Sequence, residues 1–203
     1  TDTAEQGKSE SRSLIESWHG KGRNRYVITP RFAISCSTEQ LIAAGRLHDQ
    51  YPGTYMQTHL SENKDEIDST LSFCPDCQDY LEVYERARLV TDRSIFGHCI
   101  HLSDSECRRL VEAGSVVAHC PTSNLFLGSG LFDMQQANRV GMQTVLATDI
   151  GAGTSFSMLR TMGEAYKVQQ LGGYPMSVFE SLYKCTLGAA KALHLDDEIG
   201  CFG

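Results

Sequence analysis

Five short apolar runs recur along the chain, each followed by a stretch of helical periodicity. They are residues 25–29 (RYVIT), 54–58 (TYMQT), 94–97 (SIFG), 115–118 (SVVA) and 143–148 (QTVLAT). The runs are rich in β-branched and aromatic residues and do not alternate cleanly, which is the pattern of strands buried on both faces. Helix starts are legible between them. Ser37 with Gln40 and Ser103 with Glu106 fit capping boxes, and Ser177 with Glu180 fits a third. Glu62, Asp65 and Glu66 crowd the segment after Thr58, as suits a helix N-terminus. Strand-then-helix repetition predicts an α/β fold of parallel βα units. No linker divides the chain, so residues 1–203 are expected to form one domain with no second one. Residues 128–130 and 151–153 are expected as loops, and 73–80 as a loop before a further helix.

The position of certain polar groups sharpens this picture. Four runs lead directly to a group able to bind a metal or move a proton: His59, His98, His119 and Asp149. The C-terminal strand ends of a parallel sheet share one face, so these groups can converge there. Imidazoles and a carboxylate are the ligand types of a catalytic zinc. Glu62, three residues beyond His59, could carry protons between a water and a substrate. A lone strand-end histidine is more often structural, but four on one face weaken that explanation. His19, His48, His101 and His194 have no such partners and are read as structural.

Arg31 and Phe32 follow the first run. They could grip a flat polar ring, or form an ordinary surface ion pair beside a core phenyl. Cys74 and Cys77 make a lone C-x-x-C in a polar loop, read as an incidental pair of thiols and not a redox or zinc motif. Cys99 and Cys120 are expected as small buried hydrophobes.

Composition narrows the classes. Of 203 residues, 41% are hydrophobic and 21% charged, ordinary for a globular protein. A net charge of −7 disfavours nucleic-acid partners. No apolar run approaches the roughly 18–20 residues of a membrane span, and residues 1–12 lack a secretory pattern. Eight cysteines in such a chain are expected to be reduced, and the reading is cytoplasmic.

Five motifs then occur in one order: TPRF (29–32), THLSEN (58–63), GHCIHL (97–102), AHCPTSNLFLGSG (118–130) and ATDIGAG (147–153). Together they closely resemble the guanine deaminases, a family within the amidohydrolase superfamily. The resemblance implies a TIM-like (β/α)8 barrel with a small β-sandwich built from both termini. It implies zinc-dependent hydrolysis of guanine to xanthine and ammonia, the chemistry of purine catabolism.

It assigns His59 and Asp149 as metal ligands, and Asp149 also as a proton acceptor. Glu62 becomes the general acid/base, and His98 the residue that holds the water or the tetrahedral centre. Arg31 and Phe32 become the substrate-binding pair, with His59 and Glu62 facing the same substrate, and His119 a pocket wall. The family's remaining two zinc ligands form a His-x-His, which this sequence does not contain. A complete barrel needs about 250 residues. The expectation is therefore a partial barrel, about strands 4 to 8, from a longer enzyme. This stretch alone is expected to be inactive and prone to self-association through an open edge near residues 26–29. Family members are often dimers, so a homodimer is the partner state the resemblance leaves open. Two alternatives remain: hydrolysis of another aminated heterocycle within the superfamily, or a non-catalytic fragment.

Overall fold

A computed structural model describes residues 3–202. In chain order its elements are α1 (Ala4–Trp18), β1 (Val27–Ile28), α2 (Thr38–Gln50), β2 (Tyr55–Leu60), α3 (Lys64–Phe73), α4 (Tyr80–Arg86), β3 (Ser94–His98) and α5 (Asp104–Glu112). There follow β4 (Val116–His119), α6 (Pro121–Leu127), α7 (Met134–Val140), β5 (Gln143–Leu146), α8 (Met158–Leu171), α9 (Val178–Cys185) and α10 (Leu187–Ala192).

The strands form one five-stranded sheet in the order β1-β2-β3-β4-β5, every pair parallel. Each of the five apolar runs becomes one strand. The ends differ from the expected ones for local reasons. β1 keeps only Val27 and Ile28 in register with Tyr55 and Met56, because Pro30 soon removes a ladder donor. β2 runs on to Leu60, which pairs with His98, so His59 lies inside the strand and not after it.

Helix caps form largely as the side chains dictate. Ser37 with Gln40 and Ser103 with Glu106 close capping boxes. A further box joins Asn63 and Glu66 at the start of α3. At α9, Ser177 caps Glu180 N, but the box stays open. The Glu180 carboxylate instead accepts from Tyr174 Oη and Asn138 Nδ2, each at 2.8 Å.

The main core lies between the sheet and the helices. Met56, Leu60, Phe96 and Val117 supply the strand side, and Tyr80, Tyr84, Leu110 and Met134 the helix side. Each such side chain removed from water contributes roughly 1.5–3 kcal/mol. A smaller cluster of Ile15, Ile28 and Leu47 ties α1 and α2 to β1. The four histidines read as structural pin turns and loops. His19 Nδ1 accepts from Tyr26 N, and His194 Nε2 lies 3.1 Å from Asp92 O. His48 bridges Thr54 and Thr91, and His101 Nε2 bonds Ser129 O.

All eight cysteines are free thiols. Cys74 and Cys77 share a tight turn and pack against the core. They line an apolar hollow of about 250 Å3 on the helix side. Cys99 and Cys120 are buried, as expected of small hydrophobes. Among the described residues no helix is long and apolar enough to cross a membrane.

Candidate active site

The carboxyl ends of β2, β3 and β5 meet at a cleft of about 480 Å3 on the face of the sheet opposite the main core. Gln57 and His59 of β2, Ile95 and Gly97 of β3, and Val116 and Ala118 of β4 line it, as strand alternation requires. His59, His98 and Asp149 each turn one ligand-type atom toward a common point, and these atoms all lie within 4.8 Å of one another. The His59 and His98 rings are stacked with centroids 5.1 Å apart, and His98 Nε2 is 4.0 Å from Asp149 Oδ2. Burial first, then the neighbouring His59, pushes the His98 imidazole down to about 4, so it is neutral at pH 7.

Backbone geometry makes this convergence. His98 would follow Leu60 and Phe96 to the helix side if alternation held. Its φ of 70° breaks the alternation and swings the ring into the cleft. Ser61, Cys99 and Asp149 also have φ between 48° and 54°. A left-handed residue other than glycine costs about 1–2 kcal/mol, and such strain gathers at functional sites. Interstrand bonds hold the twisted segment: Cys99 N donates to Leu60 O, and Ile100 N and His101 N donate to Ser61 O. After Asp149 the chain turns back so tightly that Gly153 N bonds Asp149 O. A Cβ at Gly153 would lie 1.8 Å from Thr148 O, so only glycine fits.

The donor set fits a metal ion. His59 Nδ1 donates to Arg31 O at 2.6 Å, which leaves the Nε2 lone pair for a ligand. A backbone carbonyl behind a ligating histidine is the usual support of such sites. Tyr84 Oη donates to His59 O and accepts from Ala33 N, clamping both chains from the helix side.

Glu62 approaches His98 from the other edge, its Oε1 3.7 Å from Nδ1. Ser129 Oγ donates to that same Oε1 at 3.1 Å. The Glu62 backbone is fixed by the buried Glu66 carboxylate, which accepts from Glu62 N and from Tyr80 Oη. Arg31 stacks over Phe32 at 5.3 Å, and Phe32 lies 5.8 Å from the His59 ring.

One strand-end group stays outside the cleft. His119 is fully buried, stacked on Phe132 at 4.7 Å, with neither ring nitrogen hydrogen-bonded among the described residues. It belongs to the layer between sheet and helices and not to the pocket wall expected of it. Burial pushes it down to about 3, with His98 and Lys184 adding to the effect.

Sequence reasoning missed the residues that support the site from a distance: Asn124, Ser129, Tyr84 and Glu66. Asn124 and Ser129 stand inside a quoted motif, and that membership was the available signal.

Fold and cleft together define a protein of the parallel βα-barrel class with its polar site at the carboxyl edge of the strands. Comparison with known proteins makes the class specific. The chain belongs to the amidohydrolase family, whose family model matches residues 2–203. It is 52% identical over 201 residues to guanine deaminase of Escherichia coli, covering 99% of this chain and 46% of that protein. The solved structure of E. coli guanine deaminase superposes with a TM-score of 0.96, covering 98% of this chain and 46% of that one. A guanine deaminase of C. acetobutylicum, solved with guanine in its active site, superposes at 0.92 with 30% identity, covering 100% of this chain and 50% of that one. The chain thus spans about half the length of the relatives it matches, and its five strands form part of a TIM-like barrel.

Proposed function

We propose that the protein carrying this chain hydrolyses guanine to xanthine and ammonia at a zinc site that uses His59 and Asp149 as ligands. One observation carries the reading: 52% identity to a guanine deaminase across 99% of the chain, over a sequence that includes the His59, His98 and Asp149 cluster. The C. acetobutylicum relative with guanine in its active site supports the choice of ligand. The His and carboxylate donors suit zinc. The remaining ligands expected of such a site are assigned to the rest of that protein. Residues 1–203 are taken as one partial barrel domain.

Zinc, when bound, activates a water toward attack. The chain's own residues do the rest. The water oxygen adds to C2 of guanine while Asp149 takes one of its protons. Glu62, held at Oε1 by Ser129, donates a proton to the ring nitrogen beside C2. The added hydroxyl passes its remaining proton through Glu62 to the amino group, which leaves as ammonia as the C2–N bond breaks and the C2=O bond forms, and the proton held by Asp149 returns through solvent to Glu62. His98 stabilises the charge gathering on the added oxygen. Arg31 offers paired donors to the purine edge, and Phe32 offers its face. The free thiols support a reducing, cytoplasmic setting, and the net charge of −7 supports a small-molecule partner over nucleic acid.

The test is xanthine formation from guanine by the intact protein, with metal content measured on the same sample. Turnover that tracks bound zinc is expected. A zinc-loaded protein that leaves guanine untouched but releases ammonia from another aminated heterocycle would replace guanine in this reading.

A further inference from the structure

Asn124 sits on α6 with 1% of its surface exposed. Its Nδ2 lies 2.8 Å from His98 Nδ1. An amide nitrogen can only donate, so Nδ1 of the neutral imidazole is the acceptor. The ring proton of His98 then resides on Nε2. Nε2 is the atom that faces Asp149 Oδ2, 4.0 Å away. Glu62 Oε1, 3.7 Å from Nδ1, is beyond hydrogen-bond reach. It accepts a hydrogen bond from Ser129 Oγ instead, so no carboxylate competes for the Nδ1 edge.

We propose that Asn124 is a positioning residue that fixes His98 as an Nε2–H donor, so that His98 serves the reaction as a hydrogen-bond donor to the added oxygen and neither binds the metal nor acts as the base. Two imidazoles of the same cleft thereby carry opposite tautomers. His59 donates a hydrogen bond from Nδ1–H to Arg31 O and keeps Nε2 open for a ligand. His98 accepts a hydrogen bond at Nδ1 and presents Nε2–H. One is built to bind a cation, the other to stabilise an anion.

The inference rests on reading this cleft as a deaminase site, and its test separates the two. A neutron crystal structure of the perdeuterated intact protein locates the protons whatever the substrate is. Deuterium on His98 Nε2, none on Nδ1, and two on the Asn124 nitrogen facing Nδ1 is the expected result. Deuterium on Nδ1, with the Asn124 oxygen facing it, overturns the proposal.

Kinetics give a second readout. The Asn124→Asp side chain accepts from Nδ1 and so reverses the tautomer, while Asn124→Leu removes the donor altogether. Both variants should lose about tenfold to a hundredfold in kcat, with KM for guanine and zinc content little changed. A wild-type kcat in a folded Asn124→Asp protein also overturns the proposal. If neither variant folds, the neutron map of the native protein still decides. A native protein with the expected protons but no guanine turnover refutes the substrate and leaves the tautomer standing.

Discussion

His98 and His119 occupy equivalent positions on neighbouring strands yet face opposite sides of the sheet. Phe96 pairs with Val117 and Gly97 with Ala118, so the two histidines come next in the same register. The φ of 70° at His98 sends its ring to the cleft. His119 keeps ordinary alternation and packs on Phe132. One torsion angle therefore separates a cleft side chain from a core side chain.

Replacing Glu62 by Gln keeps the Ser129 contact and the shape of the site but removes the carboxyl proposed above to carry the protons. The expected result is a loss of about 10²–10⁴-fold in kcat with zinc still bound. Turnover kinetics alongside metal analysis check it, and a Glu62→Gln protein with native kcat would remove Glu62 from the mechanism.

Arg31 is held by its backbone carbonyl, which accepts from His59 Nδ1 and from His59 N. Its guanidinium is free of that duty. Arg31→Ala should therefore leave the His59 position intact and raise KM for guanine roughly tenfold or more, about 1.5 kcal/mol of lost hydrogen bonding. An unchanged KM assigns the side chain to the surface alone.

Glu66 is a buried carboxylate whose bonds go to Glu62 N, Asn63 N and Tyr80 Oη. Glu66→Ala strands all three donors and should cost about 3 kcal/mol of stability. Urea unfolding measures this directly. A cost indistinguishable from that of an exposed helix substitution contradicts the role given to the cap.

His48 supplies a pH dependence. Burial holds its imidazole below the ordinary value of 6.5, against the opposing pull of Asp49 and Asp92. The unfolded chain then binds a proton before the folded one does. The contribution of His48 to stability is fully present above about pH 6.5 and is lost as pH falls through the lower, folded value. His48→Gln should be less stable at pH 7.5, since it breaks the Thr54 and Thr91 contacts. It should also lose less on going to pH 5. Unfolding midpoints at both pH values test the sign, and equal slopes in both proteins would falsify it.

Much of the fold was legible because strand burial and helix capping are local. Each apolar run became a strand, and Ser37 and Ser103 capped the helices that follow them. The run at residues 25–29 shrank to two paired residues because register depends on the neighbour and on Pro30. That His59, His98 and Asp149 share the carboxyl edge of the sheet followed from parallel topology, whereas the turn of His98 into the cleft depends on its φ of 70° and was not legible. Nor was the departure of His119, since nothing in its local sequence distinguishes its alternation from that of His98. The supports were hidden for another reason. Tyr84, Ser129 and Asn124 lie 25, 67 and 26 residues from the groups they hold, and such pairings exist only once the sheet has formed.

The sheet order repeats the chain order, and this bears on how the protein matures as it is made. Each strand after the first hydrogen-bonds to the one synthesised just before it, so the sheet can extend during translation without waiting for distant partners. The cleft matures on the same schedule. The two imidazoles are paired once β3 is laid down, whereas the carboxylate of Asp149 arrives only after β5 has been made. A ribosome paused between His98 and Asp149 would carry a nascent chain with most of its sheet and an unfinished site.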